Sequence, residues 1–154
     1  YALIIASPNE INVFDMEGNV LYLLTTGGWS YAACDITMDA DGNAYTETGA
    51  NVLKKYDSSG NLLVTHYRES SSVWFESLNI GPDGYLYTLE GRSSGSAIAK
   101  RNTADLTIIE DAVTLTIGYY GGGICLDSNG NFYIYSWSAD EIQKWSSAGV
   151  KLAS

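Results

Sequence analysis

The chain has 154 residues, 45% of them hydrophobic, which is enough for one ordinary core. Its net charge is −10, with 8 Lys and Arg against 18 Asp and Glu, which disfavours nucleic-acid and anionic-membrane partners, since these need basic patches, and favours a cationic or neutral one. No apolar run approaches the ~20 residues of a membrane helix, and the many Gly (16) and Tyr (12) point to a secreted or cell-surface protein. The chain opens at Tyr1 without a signal-like stretch, as expected of a processed chain or an excised piece.

In chain order, residues 1–24 read as three strands, with a turn at Gly18. A fuller unit follows. Cys34–Asp39 alternates, with Ile36 and Met38 apolar, and period two marks a half-buried strand. Asp41-Gly42-Asn43 is a tight turn, because Gly takes positive φ freely and Asn tolerates it. Ala44–Thr48 is a second strand and Val52–Asp57 a third. Ser58-Ser59-Gly60-Asn61 is another turn, and Leu62–Thr65 a fourth strand.

The unit recurs. Gly42 returns as Gly84 and Gly130, and Gly60 matches Gly18 and Gly149; in the third unit its place falls near Asp105, so that turn is altered. Ile36, Leu78 and Ile124 share a column, as do Met38, Ile80 and Leu126. Tyr45, Tyr87 and Tyr133 align in the second strand, and Ile11, Leu53, Ile98 and Ile142 in the third. Phe14, Tyr56 and Trp145 close the third strand, with Arg101 the exception. Four strands every 40–50 residues or so is the mark of a β-propeller blade. The expected architecture is all-β, a β-propeller segment of four-stranded antiparallel blades. One incomplete blade spans 1–24 and full blades span 33–66, 75–114 and 122–154 of a single propeller domain, or part of one, covering 1–154.

The pattern of an apolar strand, Asp-x-x-Gly-Asn-x-Tyr, a gap and a strand closing in aromatic-Asp-x-x-Gly-Asn resembles the NHL-type and YVTN-type propellers over almost the whole chain. The resemblance implies the blade and leaves the activity open, because such propellers host binding, scaffolding and enzyme chemistry. Three and three-quarter blades close poorly as one ring, since propellers hold about four to eight. The chain is therefore expected to meet further propeller blades from the same or another chain, or to close as a distorted four-blade ring. An open arc would leave the flank around Leu3, Ile5, Ile11 and Val13 bare.

Each chemical candidate has a plain structural reading. Asp39-Ala40-Asp41-Gly42-Asn43 opens like a calcium loop, but position twelve is Ala50 where a bidentate Glu is needed, so a hairpin turn is expected. His66, the one histidine, reads as a surface residue, and no Gly-x-Ser-x-Gly nucleophile motif is present. Cys34 and Cys125 fall two blades apart on opposite faces and are expected to be buried free thiols. Asp35, Thr37, Asp39, Ser77, Asn79, Cys125 and Asp127 are expected to line a solvated channel. Lactonase-like propellers hold a metal there through Glu, Asn and Asp, which Asn79 with Asp35 or Asp127 matches in part. No cofactor, metal or catalytic residue is assigned.

The long connections carry aromatics: Trp29, Tyr31, Trp74, Tyr119 and Tyr120, with Arg92 and Trp137 on the second set of loops. Such side chains fill gaps between blades or recognise a protein or carbohydrate. The expected function is a non-catalytic, extracellular binding or structural module. The alternatives are a piece of a lactonase-like or lyase-like propeller enzyme, and a self-assembling surface subunit.

Overall fold

The computed structural model describes residues 2–7, 10–15, 17–25, 33–48, 51–93, 95–115, 121–136 and 138–154. Within them all regular structure is β-strand, in antiparallel sheets whose strands neighbour one another in chain order. The first sheet holds β1 (Ala2–Ser7), β2 (Glu10–Phe14) and β3 (Val20–Thr25). The second holds β4 (Ala33–Met38), β5 (Ala44–Thr48), β6 (Val52–Tyr56) and β7 (Leu62–Tyr67). The third holds β8 (Val73–Ile80), β9 (Leu86–Arg92), β10 (Gly95–Arg101) and β11 (Ile108–Leu115). The fourth holds β12 (Gly121–Leu126), β13 (Phe132–Ser136), β14 (Glu141–Trp145) and β15 (Lys151–Ala153).

The tight turns follow from one side chain. In the second sheet the Asp39 carboxylate accepts from the backbone N–H of Asp41 (3.0 Å) and Asn43 (2.9 Å), from Asn43 Nδ2 (2.8 Å) and from the Tyr45 hydroxyl (2.8 Å). Asp15, Asp57 and Asp127 repeat this arrangement with Asn19, Asn61 and Asn131. Bonds from Asn131 hold the Asp127 carboxyl down at about 2. Burial pushes Asp39 up, yet its bonds to Asn43 and Tyr45 win and its pKa is lowered. Gly42, Gly84 and Gly130 take φ of 82°, 79° and 76°, which a Cβ would resist. The carboxylates at 39 and 127 are thus bound into their own hairpins, the turn reading of the calcium-like motif.

Each sheet stacks face to face on the next. Ile11, Val13 and Leu24 of the first meet Ala44 and Tyr56 of the second. Tyr45 and Leu53 of the second meet Phe75, Leu78, Leu86 and Leu106 of the third. Tyr87, Leu89, Ile98, Val113 and Leu115 of the third meet Ile124, Phe132, Ile134 and Trp145 of the fourth. Tyr87 and Phe132 meet edge to face, centroids 5.3 Å apart.

Of the two aligned apolar columns of the inner strands, Leu78 and Ile124 are buried, while Ile36, Met38, Ile80 and Leu126 sit half-buried at the margins of their clusters. Other expectations are corrected. Ile11 and Val13 are buried against the second sheet; the exposed side of the first sheet carries Leu23, which pairs with Asn12 on the opposite face. Leu3 and Ile5 pair with Val13 and Ile11 in register, and their side chains lie outside the described residues. Cys125 is a free thiol but exposed, because its side of the fourth sheet has no neighbour among the described residues; the Cys34 side chain lies outside them. A four-blade closure would cover that side, so the described sheets form an open stack.

Leu78 lies at the centre of the second contact. Leu78→Ala should cost about 2–5 kcal/mol, read as a lowered denaturant midpoint at constant slope; an unchanged midpoint would contradict this packing.

Candidate functional site

The third sheet breaks the repeat where its third strand ends in Arg101 instead of an aromatic. Register places Arg101 opposite Leu86, Ala99 opposite Thr88 and Ala97 opposite Glu90, so Arg101, Thr88 and Glu90 share the face turned to the second sheet. Two small alanines leave room there for long polar side chains. Arg101 and Glu90 are both fully buried.

The guanidinium uses all five of its N–H groups. Nε donates to Thr88 Oγ1 (3.0 Å), Nη1 to Glu69 Oε1 (2.9 Å) and to the Leu106 carbonyl (2.8 Å), and Nη2 to Glu69 Oε2 (3.2 Å) and Glu90 Oε1 (2.7 Å). Its plane also lies 5.1 Å from the Phe75 ring. The Thr88 hydroxyl in turn donates a hydrogen bond to Glu90 Oε1 at 2.8 Å. Glu90 Oε2 accepts from Arg92 Nη2 at 2.9 Å, and Arg92 grips Asp111 with two bonds of 2.7 and 2.8 Å. His66 Nε2 lies 3.0 Å from Glu69 Oε1 and 3.3 Å from Arg101 Nη1. Since Nη1 is already engaged, the arrangement favours His66 as donor to Glu69. The ring is half-buried, not at the surface as expected, because it turns inward to this carboxylate.

Electrostatics follow the geometry. The bonds that Arg92 donates to Asp111 hold its pKa well above the usual value and lower that of Asp111. Burial raises Glu69, but Arg101 and His66 outweigh it and its pKa is lowered. The altered turn now has its reason. Leu106 takes φ of 65°, unusual for a residue with a side chain. That conformation turns its carbonyl to Arg101 while its side chain joins the cluster with Phe75 and Leu86. A guanidinium plus a leucine therefore stand where the other sheets place one ring. Each of the two guanidiniums thus meets two of the three carboxylates, which ties the second sheet's outgoing connection to the third sheet.

The inner strands are stitched as well. Asp35 accepts from Ser77 Oγ (2.5 Å) and from the Leu78 N–H (2.9 Å), and Ser77 Oγ accepts from the Ile124 N–H (3.1 Å). Asp35 and Ser77, expected to face a solvated channel, instead link three consecutive sheets. Neighbouring inner strands converge without a closed ring.

The cluster lies at the end of the sheets that carries the long connections, since Glu69 precedes β8 and Arg92 ends β9. There Val73 pairs with Arg92 and Trp74 with Gly91. The half-buried Trp74 indole lies over Gly91, where a Cβ would overlap it, and donates to Glu76 Oε1 at 3.1 Å. Of the recognition candidates, the structure thus brings Trp74 and Arg92 to one rim. Trp29, Tyr31, Tyr119, Tyr120 and Trp137 lie outside the described residues. Sequence reasoning missed Glu69, Thr88, Glu90 and Asp111; the signal available was Arg101 in an aromatic column, which demands buried acceptors.

Solved structures with the same fold are propellers. The chain matches the WD40 repeats of RRP9 with a TM-score of 0.76 at 13% identity, over 98% of this chain and 46% of that one. It matches virginiamycin B lyase from Staphylococcus aureus at 0.74 and 16%, over 97% and 53%. It matches a Bacteroides caccae protein of unknown function at 0.73 and 13%, over 97% and 56%. The fold is that of a β-propeller. The chain spans about half the length of these propellers. No protein-family model matches it, and no curated protein matches it in sequence.

The rim depends on a missing side chain. Gly91→Ala should expel the Trp74 indole and cost about 1–3 kcal/mol, with a reduced near-UV circular dichroism signal; a wild-type spectrum and midpoint would contradict the packing.

Proposed function

We propose that the chain is a non-catalytic binding module, extracellular or at the cell surface, built from NHL-type propeller repeats. It recognises a protein or carbohydrate through the rim that carries its long connections. The observation that supports this most is Trp74: a half-buried indole fixed over Gly91, beside Arg92 and above a rigid ion cluster. A pre-organised aromatic edge loses little freedom on binding, which is what a recognition surface needs. The other aromatics of the long connections, Trp29, Tyr31, Tyr119, Tyr120 and Trp137, belong to the same proposed surface. The Asp-x-x-Gly-Asn-x-Tyr hairpins support the NHL-type assignment.

The second reading is a piece of a propeller enzyme, favoured by the likeness to virginiamycin B lyase. Turnover of a streptogramin B by the chain would decide for it.

The test of the first reading is a glycan and peptide array probed with the chain. The Trp29→Ala, Trp74→Ala double variant should lose at least tenfold in affinity for whatever is bound while remaining folded by far-ultraviolet circular dichroism. A double variant that binds as the parent does, or a parent that binds nothing on the array, would contradict it.

A further inference from the structure

The repeat allows one face of the fourth sheet to be compared with its equivalents. Ile11, Leu53 and Ile98 are 0%, 1% and 0% exposed, each covered by the next sheet, whereas Ile142 in the same column is 65% exposed. Tyr45 and Tyr87 are buried while Tyr133 is only half-buried. Leu89 is buried while Tyr135, its equivalent, is exposed. This side of the fourth sheet has the side chains of an inter-sheet face without the sheet that covers it. It forms a shallow apolar hollow of about 390 Å³, lined by Gly123, Cys125, Tyr133, Tyr135 and Ile142.

The opposite end of the stack offers a matching surface. In each contact the covering sheet presents the closing residue of its third strand: Tyr56, Trp145, and in the third sheet Arg101. The first sheet carries Phe14 at that position, and Leu23 on the same exposed side. The chain covers 46%, 53% and 56% of the three propellers described above, so two copies together match the length of about one of them. Their full sheets and partial ones together number eight at most, within the usual propeller range of about four to eight blades.

We propose that the open side of the fourth sheet is covered by the first sheet of a second copy of this chain. The contact is made twice, head to tail, and closes a two-copy ring. The pairing continues the stacking already seen between the four sheets, with Ile142 and Tyr135 against Leu23 and Phe14. It is independent of what the rim binds.

Sedimentation equilibrium of the chain at micromolar concentration tests this, together with thiol labelling mapped to Cys125. The expected mass is twice that of the chain, with Cys125 labelled at least tenfold more slowly than in a monomeric variant. Ile142→Asp and Leu23→Asp should each give monomers with unchanged far-ultraviolet circular dichroism, since both side chains are exposed in the single chain. An equimolar mixture of the two variants should regain a two-copy species, because one of the two contacts is then intact. A monomeric parent with fast Cys125 labelling would overturn the proposal. So would a dimer broken by Ile142→Asp but not by Leu23→Asp, or a series of assemblies growing past two copies.

Discussion

The buried Arg101 guanidinium is the interaction on which the middle of the stack depends. It sits where the first pair of sheets meets the second pair, and it draws a carboxylate from each side: Glu69 from the connection leaving the second sheet, Glu90 from the third. A charge taken out of water is tolerated only when every donor is satisfied. Here the five N–H groups, two carboxylates, a hydroxyl and a backbone carbonyl close that requirement. Phe75, Leu78 and Leu86 then pack around a fixed point, and the connection from Glu69 into β8 is held in place.

That fixed point shapes the rim. Glu90 is shared between Arg101 and Arg92, and Arg92 holds Asp111. Order thus passes from the buried core to the edge where Trp74 lies over Gly91. Elsewhere the sheets are held by apolar columns and by the Asp35–Ser77–Ile124 relay along the inner strands. The relay ends at Gly123, the position equivalent to Ser77, which has no side chain to reach beyond the fourth sheet. The stitching therefore stops where the apolar face opens.

Much of the fold is legible in the sequence, for local reasons. Gly at a positive-φ turn, Asp bonding its own backbone and period-two apolar residues need no distant partner, so Asp39–Asn43 and Asp127–Asn131 announce their hairpins. What period two does not disclose is which face meets which neighbour. Ile11 and Val13 on one side of the first sheet, and Leu23 on the other, are equally apolar, so alternation alone assigns neither to the interior. Ile142 shares its column with Ile11, Leu53 and Ile98, which are buried, yet it is exposed, because alternation does not say whether a neighbour covers the face. Arg101 stood out as an exception in its column. Its partners did not, because Glu69 and Glu90 lie 32 and 11 residues away and carry no local motif.

The central claim is that Arg101 and Glu90 are coupled, and not merely adjacent. A double-mutant cycle with Arg101→Met and Glu90→Leu measures this directly. Arg101→Met leaves Glu90 with Arg92 alone and Glu90→Leu leaves Arg101 with Glu69 alone, so each single change removes one buried ion pair and should cost up to about 3–5 kcal/mol. The double variant should cost far less than the sum, giving a coupling of more than about 2 kcal/mol. Additivity within about 0.5 kcal/mol, the behaviour of independent sites, would contradict the account.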